Sequence, residues 1–351
     1  MLMILSAVCW GGWAIAQKMA GAKWRFELFY LDFSTGTLLG AILIAFTAGS
    51  IQSNEITFMD SLIGVSMRKV AWAFVGGVVF NLANVILVSA ISVAGISVAV
   101  PIALSLSTVI GLLVSIFLTP QLNGTMTWVG LVVLLIAIVF NARAYLMMAD
   151  IRRSQQVTAD PATVAPSQVS LRSSRVRKSG KTKSSSSKGV TLAVFAGIVF
   201  GGMMPLVELS REGDLGLSPY AVVLFFSVGV FFTSLLIVPF MMNFPMEGEP
   251  LEFRRYTTGT MGQHVLGLIG GMVLIGGLAA RVLAASVPTN QAVGPAITLA
   301  CSHGAAILAA LLGVIAFKEF DNSGSRVRMQ LLIMFVLFAL ALALTSLAPL
   351  Y

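Results

Sequence analysis

Charge is what this sequence lacks most. Asp, Glu, Lys and Arg make up 10% of its 351 residues, whereas 57% are hydrophobic and the mean hydropathy is +0.94. A water-soluble domain needs about a quarter of its residues charged to cover its exterior, so that class is excluded and a polytopic membrane protein is implied. Cysteine is nearly absent: Cys9 and Cys301 each sit inside an apolar run, which excludes a disulfide framework and a cysteine metal site. Histidine is as scarce, with His264 and His303 on different predicted helices and without evident partners. An enzyme acting on lipid needs clustered histidines, paired carboxylates or a nucleophile with its base, so neither catalysis nor a cofactor or metal is expected. No positive n-region precedes the first apolar run, so a cleaved signal peptide is not expected and the first span is retained.

What is present is apolar length. A helix crosses the hydrocarbon core with about 20 mostly apolar residues, and ten stretches qualify. They are Leu2 to Lys18, Phe29 to Thr47, Val70 to Ser89, Ile96 to Leu118, Trp128 to Leu146, Val190 to Glu208, Tyr220 to Met241, Val265 to Ser286, Ala292 to Phe317 and Met329 to Leu347. The expected fold is an all-α membrane protein of ten transmembrane helices. Its halves, 1–148 and 190–351, flank one long polar run at 149–189 rich in serine, arginine and lysine. That run has too little apolar surface to offset its ordering entropy, so a flexible, solvated linker is expected. Within it, Gly180-Lys181-Thr182 has Arg175 where a phosphate-binding loop needs glycine, and nucleotide binding is rejected.

Orientation follows from the basic residues. With the N-terminus outside, 18 Lys and Arg fall on the cytoplasmic side against 3 in outer loops, and Arg281 lies within a span. Both termini are therefore expected outside, with the linker in the cytoplasm. A basic linker beside membrane spans also explains the net charge of +8 without nucleic acid as a partner. Short loops and a compact chain suit a bacterial inner membrane.

Five spans per half is an odd number, so the second half enters the membrane upside down and inverted-repeat similarity is expected. Anchors do recur: Gly76-Gly77 as Gly270-Gly271 and Pro101 as Pro295 at an offset of 194, and Gly11-Gly12 as Gly201-Gly202 at an offset of 190.

Each ionisable group inside a bilayer is a functional candidate until a partner explains it. Arg281, in the outer half of the eighth span, lies near the level of Glu208, so a Glu208–Arg281 pair is expected. On the inner side Lys18 ends the first span and Asp32 begins the second, an expected counterpart that breaks and reforms as access changes. Asp32 is also the candidate proton carrier, set against a structural salt bridge or helix-start role.

Trp10, Trp13 and Gln17 share one face of the first span, and Asn81 and Asn84 one face of the third. Aromatic planes with amides suit a small, flat, uncharged polar solute; the plainer reading is interhelical packing. Ser105, Ser107 and Thr108 follow Pro101, while Thr298, Ser302 and His303 follow Pro295. Proline-interrupted helices in matching positions point to a site at the midplane. His303 is a candidate titrating group or simply a hydrogen-bonded one.

The ordered set of two five-helix halves, Tyr30-Leu31-Asp32-Phe33, the Gly76-Gly77 to Asn84 stretch and Phe317-Lys318-Glu319-Phe320 resembles the ureide permeases. That family lies in the drug/metabolite transporter superfamily, close to its bacterial sugar-uptake branch. The resemblance implies ten helices around a central cavity and proton-driven uptake of allantoin, related ureides or nucleobases, without a cofactor. Carried over by position, it implies roles for Asp32, Asn84 and Glu319, with Ser105 and Ser107 in a hydroxyl-rich stretch. The chain departs from the family pattern at Val100-Pro101, at Val85-Ile86-Leu87 and at Arg281. The function expected is secondary active transport by alternating access, with a small solute, protons and the bilayer as partners. A hexose or pentose proton symporter, with Trp10 and Trp13 as stacking platforms, is the alternative. An anionic metabolite follows if Arg281 faces the cavity, and a non-transporting scaffold remains the reading from another class.

Overall fold

The computed structural model describes residues 1–21, 24–51, 57–118, 124–159, 184–213, 216–245, 249–286 and 304–347. Helix α1 is Leu2–Gly12 and resumes as Ala14–Met19; α2 is Phe26–Phe46, α3 Met67–Ala94, α4 Ile96–Leu118 and α5 Thr125–Ala159. In the second half α6 is Ser184–Gly201 and resumes as Met203–Arg211, followed by α7 Pro219–Asn243, α8 Met261–Ala284, α9 Gly304–Ala316 and α10 Ser325–Leu347. Nine of these are long and apolar enough to cross a membrane and α9 is a shorter apolar helix; no strand occurs among the described residues. The starts are chemically marked: Ser218 caps α7 ahead of Pro219, and Thr260 with Gln263 forms a capping box on α8.

The outer surface is apolar, as a lipid-facing surface must be. Leu43, Val132, Leu236 and Val336 are all more than half exposed, a pattern that water would penalise and a bilayer does not. With lipid outside, helices associate by close packing at small residues. Here glycine sets the contacts, and they come in pairs. A Cβ on Gly77 of α3 would lie 2.0 Å from the Phe226 carbonyl oxygen of α7, and one on Gly271 of α8 would lie 2.0 Å from that of Phe33 on α2. Gly229 faces the Phe74 carbonyl oxygen and Gly36 that of Leu268, each at 2.2 Å. Phe74 and Gly77 precede Leu268 and Gly271 by 194 residues, and Phe33 and Gly36 precede Phe226 and Gly229 by 193. Gly11 meets Ala305 of α9 as Gly201 meets Ile110 of α4. The two halves thus make matching helix contacts.

Three expectations change. First, α4 runs unbroken through Pro101. The missing N–H leaves the Ser97 carbonyl without its helical donor, and the Asn141 side chain on α5 donates to it at 3.2 Å. The interruptions fall instead in α1 at Trp13 and in α6 at Gly202, next to the two recurring glycine pairs. In α6 the cause is Pro205, whose ring opposes the Gly201 carbonyl. Second, α5 continues past residue 148 to Ala159 and α6 begins before 190, at Ser184, because a helix need not end where the bilayer does. The rest of the linker lies outside the described residues. Third, only the Gly304–Ala316 part of the expected ninth span is described; Thr298, Ser302, His303 and Pro295 lie outside the described residues.

Candidate solute site and its gates

The interior cluster is built from α1, α2, α3, α6 and α7. Trp10 and Trp13 are buried. Trp10 packs edge-on against Phe80, with ring centroids 5.9 Å apart, and Phe80 in turn touches Phe200 and Phe226. Trp13 rests on Phe33 at 5.0 Å, and Phe33 on Tyr30 at 5.2 Å. Asn81 and Asn84, expected on one face of α3, are both buried and are joined through a residue that sequence reasoning passed over. The Tyr30 hydroxyl donates to Asn81 Oδ1 at 2.8 Å and accepts from Asn84 Nδ2 at 3.0 Å, while Ser234 of α7 donates to Asn81 Oδ1 at 3.2 Å.

This network leaves polar atoms over. Among the described residues, Asn81 Nδ2, Asn84 Oδ1, Trp10 Nε1, Gln17 Oε1, Ser105 Oγ and Ser227 Oγ are buried without a hydrogen-bond partner. A buried polar group left unmatched costs about 1–3 kcal/mol, and native interiors hold few of them. Of these, Trp10, Asn81 and Asn84 lie within or beside the aromatic cluster. Ser107 is half-buried on α4, and Ser227 is a further member with no distinguishing mark in the sequence.

Two polar knots lie at the ends that the basic-residue count places in the cytoplasm. In the first, Lys18 Nζ lies 2.5 Å from Glu319 Oε1. The same carboxylate accepts the Ile96 and Ser97 backbone N–H groups at 2.9 Å each, and the Ser97 hydroxyl, so it caps α4. Arg152 of α5 donates to the Glu319 carbonyl. Gly95, at φ +89°, and Gly313 leave the room for the carboxylate: a Cβ on either would come within 2.8 Å of it. A π turn at Leu312–Ala316 and a left-handed Lys318 at φ +50° present the carboxylate there. Burial acts to raise the Glu319 carboxyl, but the hydrogen bonds from Lys18 and Ser97 and the Lys18 charge outweigh it and hold the group below its ordinary value.

In the second knot Asp32 is buried at the α2–α8 contact. The Tyr256 hydroxyl donates to Oδ1 at 2.5 Å, and His264 Nδ1 lies 2.9 Å from Oδ2. The pairs therefore differ from the expected Lys18–Asp32 one: Lys18 goes to Glu319, and His264, which had no expected partner, goes to Asp32. Burial first, then the hydrogen bond to Asp32 and its charge, raise the Tyr256 phenol, which stays a donor. Nearby, Glu27 is buried against the Arg25 guanidinium, which also donates to the Glu249 carbonyl at 2.6 Å.

At the opposite end Arg281 is buried and Glu208 is exposed, and the Arg281 and Arg211 charges act favourably on the Glu208 carboxylate. Arg211 donates to Ser286 Oγ at 2.7 Å, and Lys69 to the Leu209 carbonyl at 2.8 Å. Among the described residues no group of three or more His, Cys, Asp or Glu could hold a metal ion.

The fold defines a polytopic helical membrane protein with buried polar side chains in its interior. The sequence model of the ureide permease family matches residues 29–186. Ureide permease 1 of Arabidopsis thaliana is 23% identical over 97% of this chain and 94% of its own length, and Ureide permease 2 of the same plant is 25% identical with the same coverage. A probable ureide permease A3 of Vigna unguiculata is 33% identical over 34% of this chain and 33% of its own length. The resemblance to the ureide permeases thus extends along nearly the whole chain. These relatives are named as permeases and not as enzymes, and the chain is a membrane transport protein.

Proposed function

We propose that this chain moves a small uncharged ureide, of the allantoin type, across the membrane by alternating access, and that the conformation described is closed at its cytoplasmic end. The observation that carries the reading is the set of unpartnered buried atoms. A ureide presents N–H donors and carbonyl acceptors in one flat frame; Asn84 Oδ1 and Gln17 Oε1 can accept from it, and Asn81 Nδ2 and Trp10 Nε1 can donate to it. An uncharged solute fits because the charges at the inner end are engaged: Lys18 by Glu319, and Asp32 by Tyr256 and His264.

The matching glycine contacts support an inverted repeat whose halves rock about this cluster. Lys18–Glu319 and Asp32–His264 serve as inner gates and the Glu208, Arg211 and Arg281 group as the outer one. Transport is inward and proton-coupled, with the linker in the cytoplasm. The relatives above are plant proteins, so the bacterial inner membrane rests on loop length alone, and none of them is a sugar transporter.

The test is ligand-induced thermal stabilisation of the purified chain. Allantoin is expected to raise Tm where glucose and ribose do not, and Asn84→Ala is expected to abolish that rise. Stabilisation by glucose alone would overturn the ureide reading.

A further inference from the structure

The solute site makes no use of His264, and the sequence offered it no partner. The structure gives it one at a strategic place. Asp32 is 5% exposed. Helix α8 reaches it because residue 267 is glycine: a Cβ there would stand 2.4 Å from the Asp32 Cβ. The His264 ring, with a side chain 22% exposed, has Trp24 and Tyr256 packed edge-on at centroid distances of 5.2 and 4.7 Å.

The other charges around this knot, among the described residues, are paired elsewhere or solvent-exposed, Arg255 lining a pocket with Trp24, Arg25 and Leu28. Arg25, from the α1–α2 connection, holds Glu27. Lys18, ending α1, holds Glu319. Arg254 and Arg255, beside Tyr256 on the turn Phe253–Thr258, are exposed. The titratable groups that face Asp32 are therefore His264 from α8 and Tyr256 from that turn.

We propose that Asp32 and His264 together form a proton-binding site that closes the cytoplasmic gate. The inference rests on the alternating-access reading and names the ion and the residues that couple to it. With one proton shared, the pair is electrically neutral and both carboxylate oxygens are hydrogen-bonded. Without it, the Asp32 carboxylate keeps its hydrogen bond from Tyr256, but its charge is left uncompensated among aromatic rings, which is costly. In the open gate both groups reach water and that difference fades. The closed gate therefore binds more protons than the open one, and by linkage protons favour closure while opening releases them to cytoplasmic water. An importer needs this order: proton held while the inner gate is shut, and released as it opens.

The experiment reads the gate without any solute. In a Cys9→Ser, Cys301→Ser background, Leu28→Cys places a thiol at a buried position one turn from Asp32, and Thr257→Cys places one at an exposed reference position. The ratio of their labelling rates in proteoliposomes cancels the pH dependence of the thiol itself. From pH 6 to pH 8 the ratio is expected to rise about tenfold, one linked proton setting a ceiling of about tenfold per pH unit. His264→Gln and Asp32→Asn are expected to flatten the profile. A flat profile in the parent, or a slope surviving either substitution, overturns the proposal; if one variant does not fold, the parent and the other variant decide. Because no solute enters the readout, failure of allantoin to bind would end the ureide reading and leave this result standing.

Discussion

Lys18 and Glu319 are separated by 301 residues and their charged atoms by 2.5 Å, which ties the end of α1 to the turn ahead of α10. Because the same carboxylate caps α4, one side chain holds the ends of three helices together. Hydrogen bonds to a charged group contribute about 1.5–3 kcal/mol each. Glu319→Ala is expected to lower Tm by several degrees, with Glu319→Gln intermediate. Lys18→Met removes a partly exposed charge and should cost about 1 kcal/mol or less. Differential scanning fluorimetry of the three variants checks the order.

Acidification tests the same knot. The folded-state value of Glu319 lies below its ordinary value of 4.5, so its contribution to stability is fully present above pH 4.5 and is lost as pH falls through the folded value. Wild-type Tm is expected to fall in that acid window, and the Glu319→Gln profile to be flatter there. Equal slopes for the two proteins would count against the assignment.

Glycine packing sets the next expectation. Gly77→Ala and Gly271→Ala each drive a Cβ into a backbone carbonyl at 2.0 Å, while nothing lies within 4 Å of a Cβ at Gly276. Overpacking of this kind costs about 1–3 kcal/mol. Both former variants should be destabilised to a similar degree, and Gly276→Ala should be neutral, by thermal melts in detergent.

Tyr30 joins the two asparagines. Tyr30→Phe removes a donor to Asn81 and an acceptor from Asn84, leaving further buried amide atoms unmatched at about 1–3 kcal/mol. The variant is expected to be less stable and to bind allantoin about tenfold more weakly, since reoriented amides no longer present the same atoms. Isothermal titration calorimetry gives the comparison.

How much of this was legible beforehand follows from the range of the signals. Apolar runs are local, so the helices could be read directly. Trp10, Trp13, Asn81 and Asn84 could be grouped because helical spacing puts them on shared faces. Pairings between distant helices could not: Lys18 was matched with Asp32, its neighbour in sequence, although its partner lies in the other half. His264 looked solitary because Asp32 is 232 residues away. Tyr30 and Ser227 were hidden in apolar runs, where a single hydroxyl reads as packing. Pro101 misled because Asn141 relieves the carbonyl that a proline leaves open.

The measurement closest to the central claim is uptake of labelled allantoin, uracil and glucose into proteoliposomes, with and without an inward proton gradient. Allantoin or uracil should accumulate only with the gradient, glucose should not accumulate, and Asn84→Ala should abolish uptake. Accumulation of glucose alone, or none of any solute by folded wild-type protein, would contradict it.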